Sequence, residues 1–251
     1  DLFEGGGTRE EFTGGVVLET GLQDPFGLIF DVNSRYRNYS GTSDPLLFDN
    51  QTDTAAVGAI FRFSDVFRGR LDASNDHYWA EDLNQTDRET RRFTFGIDYD
   101  ISPTTFLSVD LGHSKVLETF DALPGVENNL SGPVATVAFD RQMSNGSASA
   151  LLDTYLTDQG RQTTLEFSRV LELPNGGLEF SFGAAKGDTF NARPVGSIAY
   201  FARLPRANFN IGLSRTSSIS DTLSQATETT RFDIGYALDL TPVSSLSYDL
   251  Y

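Results

Sequence analysis

The feature that most constrains this chain is an alternation of apolar and polar residues that recurs along almost its whole length. Phe26, Leu28, Phe30 and Val32 alternate with Gly27, Asp31, Asn33 and Arg35, and Phe93, Phe95, Ile97 and Tyr99 with Arg92, Thr94, Gly96 and Asp98. Leu178, Phe180 and Phe182 stand against Glu179, Ser181 and Gly183, and Phe232, Ile234, Tyr236 and Leu238 against Arg231, Asp233, Gly235 and Asp239. Successive strand residues point to opposite faces, so a period of two gives each strand one apolar and one polar side. A helix would need apolar residues three and four apart, and no long segment keeps that spacing. The pattern predicts an all-β chain of about fourteen strands, each near the ~9–11 residues that cross a membrane when tilted.

The joints between these segments alternate in character. One set is short and rich in turn residues: Asp24-Pro25, Ser64-Asp65, Ser102-Pro103, Ser144-Asn145-Gly146, Pro174-Asn175-Gly176, Leu204-Pro205-Arg206 and Thr241-Pro242. Proline fixes φ and Asn-Gly accepts positive φ, so these suit tight hairpins. The other set is longer and polar, roughly 38–53, 80–90, 117–130, 186–194 and 215–229. Short turns at one end and longer loops at the other predict antiparallel up-and-down hairpins within a single domain over residues 1–251.

Which face meets water decides the class. A soluble sandwich also alternates, but its strands are short and joined by crossings between two sheets. Here the segments are about twice that length, and the polar face carries glycine and charges of both signs. No apolar run approaches the ~18 residues of a membrane helix. A mean hydropathy of −0.27 does not argue against lipid contact, because only every second residue of a barrel strand faces it. Tyr36, Tyr39, Tyr78, Trp79, Phe63, Phe67 and Tyr99 fall near strand ends, where aromatic girdles meet headgroups. The expected fold is a transmembrane antiparallel up-and-down β-barrel, apolar outside and polar within.

On this pattern, and on no specific motif, the chain resembles bacterial outer-membrane β-barrel proteins, in particular porin-like channels. The resemblance implies integral outer-membrane location, passive transport of small hydrophilic solutes, and contact with outer-membrane lipids and lipopolysaccharide. Two other readings stay open: an export barrel of a secretion or polysaccharide system, and a plugged structural or adhesive barrel. Periplasmic and oligomeric partners are not readable from the sequence. If the longer loops are extracellular, both chain ends lie on the outer side. That arrangement predicts one strand missing at each end, and about sixteen in a full barrel.

Chemistry is sparse. There is no Cys and only two His, His77 and His113, so neither a thiolate site nor a zinc site is expected. The His113-Ser114 pair is split between opposite faces, and no catalytic constellation or cofactor motif is found, so no enzyme activity is expected. A formal net charge of −16 argues against nucleic-acid binding. The loop acids Asp44, Asp49, Asp53, Glu81, Asp82, Asp87, Asp121 and Glu127 either gather divalent cations shared with lipopolysaccharide phosphates or are plain solvated charge.

The candidate site is therefore the polar face. A basic wall is expected from Arg35, Arg37, Arg62, Arg68, Arg70 and Arg92, and an acidic wall from Asp110, Asp140, Asp153, Glu166, Glu179, Asp233, Asp239 and Asp249. Opposed across a closed cylinder, such rings screen solutes by charge. Alternatively, neighbouring charges such as Arg70 and Asp72 pair to satisfy a polar interior. Arg169 breaks the pattern: its parity is apolar, which predicts a local bulge or a place near the headgroups.

Overall fold

The computed structural model describes residues 7–42, 47–220, 225–241 and 244–250. They form fourteen strands and no helix. In order these are β1 (Thr8–Thr20), β2 (Phe26–Ser40), β3 (Asn50–Ser64), β4 (Phe67–Ala80), β5 (Thr86–Ser102), β6 (Thr105–Phe120) and β7 (Glu127–Met143). They continue with β8 (Gly146–Thr157), β9 (Gly160–Leu173), β10 (Gly176–Gly187), β11 (Arg193–Leu204), β12 (Ala207–Ser220), β13 (Gln225–Thr241) and β14 (Ser244–Leu250). Each strand pairs with its neighbours in sequence, so the sheet order is simply β1 to β14. Among the described residues no connection crosses over, which argues against the sandwich alternative, whose two sheets require such crossings.

Two compact units divide these strands. The first holds Asp1–Asp98, Asp110–Val134 and Leu156–Asp158, and the second Tyr99–Val109, Ala135–Tyr155 and Gln159–Tyr251. Cross-strand aromatic pairs line the apolar face in both. In the first, the Phe26 and Phe61 centroids are 5.3 Å apart; in the second, Phe167 and Phe182 stack at 5.5 Å. Pairs of this kind add about 0.5–1.5 kcal/mol beyond their buried area.

The short turns within the described residues fall where the sequence places them, Pro242 lying outside that set, and they are stitched to the next hairpin. Arg62 N donates to Pro25 O at 2.8 Å, Glu172 N to Asn145 O at 2.9 Å, Arg203 N to Asn175 O at 2.7 Å and Asp239 N to Arg206 O at 2.8 Å. The polar connections are shorter than expected. The stretch 38–53 is strand up to Ser40 and again from Asn50, with residues 43–46 outside the described set, while 80–90 contracts to 81–85, 117–130 to 121–126, and 186–194 to 188–192. The stretch 215–229 is mostly strand as well, with residues 221–224 outside the described set. The ladder is built from backbone N–H and C=O groups, so strands continue after the apolar side chains stop. Strands β2 to β13 consequently run 12 to 17 residues, longer than a bilayer needs.

Arg169 sits in unbroken register opposite Phe180, so there is no bulge. Its Nη2 donates to Asn145 Oδ1 in the β7–β8 turn at 2.7 Å. The side chain carries its charge along the strand to the polar end, as long cationic side chains do at interfaces.

Candidate functional site

In the first unit, register places the predicted arginines on one face but at different levels. Arg62 of β3 and Arg68 of β4 are direct partners beside the short turns. Arg35 and Arg37 lie toward the opposite end of β2, level with Thr52 and Asn50 of β3. Like charges directly opposite destabilise a sheet, so Arg62 and Arg68 are held by the fold rather than stabilising it. Arg37 Nε reaches Glu11 of β1 at 2.9 Å, and Arg9 bonds the same carboxylate. Arg35 Nε is buried with no hydrogen-bond partner among the described residues.

Arg70 shows that the two expected walls are not separate. Its Nη2 lies 2.7 and 2.8 Å from the two oxygens of Asp110 and 3.3 Å from Asp98 Oδ1. Arg70 is on β4, Asp98 on β5 and Asp110 on β6, so the guanidinium spans two strand spacings of roughly 4.8 Å each. Gly96 makes this reach possible. A Cβ there would fall on Asp110 Oδ1 and come within 3.1 Å of Arg70 Nε. Asp110, assigned by sequence to the opposing wall, is thus a close neighbour of the basic one. Arg62, Arg68 and Arg92 make no ion pair among the described residues.

The same unit has a small core at the longer-loop end of the strands. Val116, Val134 and Leu156 are buried together with Leu130 against them. Over it, Arg88 Nη1 meets Asp158 Oδ1 at 3.1 Å, with the Asp158 side chain only 4% exposed. Asn128 Nδ2 donates to Asp158 O at 2.7 Å, and the Arg88 guanidinium lies 5.0 Å from the Tyr78 ring centre. Glu118 is buried beside them, and this burial, with the nearby Asp158 charge, holds its carboxyl above the usual range. Sequence reading missed this cluster, because Arg88 and Asp158 lie far apart in the chain and only the fold joins them.

In the second unit the polar face is dominated by hydroxyls. Asp140 pairs with Ser149, Ser168 with Ser181, Ser181 with Ser197, Ser197 with Ser214, and Ser214 with Arg231. Ser149 and Ser168 hydroxyls are 2.6 Å apart, and those of Ser181 and Ser197 are 2.9 Å apart. Five serines therefore form one row across β8 to β12, ending on Asp140 and Arg231. Of the predicted acids, Asp153 accepts from Thr136 at 2.7 Å and Asp233 meets Arg231 Nε at 2.6 Å. Asp140, Glu179 and Asp239 are exposed and Glu166 half-buried; none of these four forms an ion pair among the described residues. The side chain of Asp249 lies outside the described residues, as does Asp44.

Several of the acids that the sequence places in loops are engaged locally, and Asp87 lies at the start of β5. Asp49 accepts from Tyr39 N at 2.7 Å, Asp82 from Thr86 N and Oγ1 at 2.9 and 2.7 Å, and Asp87 lies 3.0 Å from His77 Nε2. No group of three or more His, Asp or Glu able to hold a metal occurs among the described residues.

No protein-family model matches the chain, and no curated protein matches it. Solved structures do. The chain is similar to the ferric-catecholate import receptor Fiu of E. coli K12 in its open form, with a TM-score of 0.57 at 9% identity over 96% of this chain and 50% of that one. It is similar to the copper transporter OprC, with a TM-score of 0.56 at 11% identity over 92% of this chain and 50% of that one. The chain spans about half the length of these neighbours. Both are outer-membrane β-barrel transporters, and the fold of this chain is that of a bacterial outer-membrane β-barrel.

Proposed function

We propose that this chain is the wall of an outer-membrane transport barrel, with its apolar face on lipid and its polar face lining a passage for small hydrophilic solutes. The carrying observation is the segregation of exposed apolar side chains. Phe30, Val32, Phe93, Phe95, Leu111, Phe182, Ile198 and Leu213 are all exposed and share the apolar parity of their strands. In water a surface of that extent would drive association, whereas lipid satisfies it. Outer-membrane lipids are then the partners of one face and diffusing solutes those of the other, and no catalytic step enters this reading. The test is single-channel conductance of the purified chain in a planar bilayer. Steady conductance steps that scale with salt are expected, and a silent bilayer despite insertion excludes an open passage.

A second reading, import of a selected solute rather than free diffusion, is favoured by the likeness to an import receptor and a copper transporter. Saturable uptake into vesicles, without steady conductance, would select it.

A further inference from the structure

The polar face of the first unit contains an open trough of about 210 Å³. Register explains its shape. Asp31 of β2 pairs with Ala56 of β3, and Ala56 and Gly58 pair with Ser74 and Asp72 of β4. On this face β3 thus presents nothing larger than a methyl group, from Ala56 and Gly58, with Ile29 of β2 beside the glycine. Asp31 and Asp72 stand on either side of that strand, and Arg92 joins the lining from β5. Asp72 lies over the glycine: a Cβ on Gly58 would come within 2.8 Å of its Oδ1. None of Asp31, Asp72 and Arg92 closes an ion pair among the described residues.

Opposite charges that line one small cavity without meeting each other can each take the opposite end of one ligand. A simple anion would be opposed by two carboxylates, and a simple cation by Arg92. A solute carrying both charges satisfies all three. The volume lies below the ~300–1,000 Å³ of pockets for drug-sized ligands, which restricts the solute to about the size of an amino acid. We propose that this trough is a binding subsite for a small zwitterion, its carboxylate on Arg92 and its ammonium between Asp31 and Asp72. A planar guanidinium suits the carboxylate. The subsite rests on the reading of this face as a transport lining.

The experiment is calorimetric titration of the detergent-solubilised chain with 4-aminobutyrate, alongside butyrate and butylammonium, which each keep one of its two charges. 4-Aminobutyrate should bind at least about tenfold more tightly than either, the size expected for one charge-assisted contact. Arg92→Gln and Asp72→Asn should each weaken it by a similar factor. Gly58→Ala keeps every charge but intrudes on the trough, and it should weaken binding too; it decides the matter if a charge variant fails to fold. Butyrate binding as well as 4-aminobutyrate, or unchanged affinity in both Arg92→Gln and Gly58→Ala, overturns the subsite. Conductance of the same preparation separates the two readings. A chain that conducts but does not bind the probe overturns the subsite alone; one that binds it in a silent bilayer overturns the passage alone.

Discussion

The two units put different chemistry on the same kind of surface. On the polar face of the first, Arg70 is clasped by Asp98 and Asp110, and Arg88 by Asp158. On that of the second, a row of serines crosses five strands, and Asp140, Glu166, Glu179 and Asp239 stand without ion pairs among the described residues. The contrast teaches that composition alone does not set the potential of a lining. In the first unit the charge of Arg70 is cancelled by a neighbour two strands away, because glycine opens the space between. In the second, hydroxyls supply wetness without charge, and only the acids without an arginine partner keep their field, since Asp233 and Glu228 are paired with Arg231, Arg193 and Arg215.

The apolar face should not share this contrast, and it gives the largest expected effect. Phe95→Arg in the first unit and Phe180→Arg or Ile234→Arg in the second should each cost about 2–4 kcal/mol of folding into lipid vesicles. Thr94→Arg, Ser181→Arg and Gly235→Arg, one residue away, should be tolerated better. Equal damage on both faces, read by denaturant titration in vesicles, would end the assignment of one face to lipid.

The next effect separates the units. Arg70→Gln leaves Asp98 and Asp110 facing each other, with the Asp98 side chain only 12% exposed. Losing hydrogen bonds to charged groups costs about 1.5–3 kcal/mol each. Gly96→Ala should approach the same loss without removing a charge, by displacing the bridge. Ser168→Ala in the second unit removes one hydroxyl from a row open to water, and should cost less than about 1 kcal/mol. If Ser168→Ala proves as damaging as Arg70→Gln, the hydroxyl row is as structural as the ion pairs and the contrast collapses.

Strand existence, the short turns and the division into faces were legible because period and turn chemistry are local. Phe93 to Tyr99 announce β5 without help from the rest of the chain. The ends of strands were less legible, since residues such as Thr216 and Glu228 look like loop yet pair through the backbone. The site was legible only as parity. Arg70 and Asp110 were each placed on the polar face, but their meeting depends on register and on Gly96, which alternation counts merely as a polar position. The serine row is likewise invisible along the chain, because its members are unequally spaced in sequence and align only once the register is fixed.

Selectivity sharpens the comparison with a smaller signal. Arg70 is neutralised locally, so the free positive field of the first unit falls to arginines without an ion pair, Arg68 and Arg92 among them. Neutralising these two should shift reversal potentials toward cations at low salt. The effect should fade as salt rises, because such fields reach about a Debye length, ~8 Å at physiological ionic strength. Glu166→Gln with Glu179→Gln in the second unit should shift them the other way. If Arg70→Gln alone moves the potential more than the Arg68 and Arg92 pair does, local pairing does not silence a charge in this lining.

The smallest expected effect belongs to Glu118, and its sign is informative. Counted from Thr105, where β6 begins, it lies beyond the ~9–11 residues that cross a bilayer, in the buried cluster of the first unit. Burial is the main cause that raises its pKa; Asp158 adds to this, while Arg88 and the Asn128 hydrogen bond oppose it. A raised folded-state value means the folded chain holds more protons than the unfolded one between the two pKa values. The contribution of Glu118 to stability should therefore grow as pH falls through its folded pKa and level off below the ordinary glutamate range. Glu118→Gln imitates the protonated form, so at neutral pH it should be neutral to slightly stabilising, and the difference from the parent chain should vanish on acidification. Urea midpoints of both chains across that range measure it. A variant less stable at neutral pH, with the gap closing toward acid, would mean that pairing with Arg88 outweighs burial and that the first unit uses Glu118 as it uses Asp110.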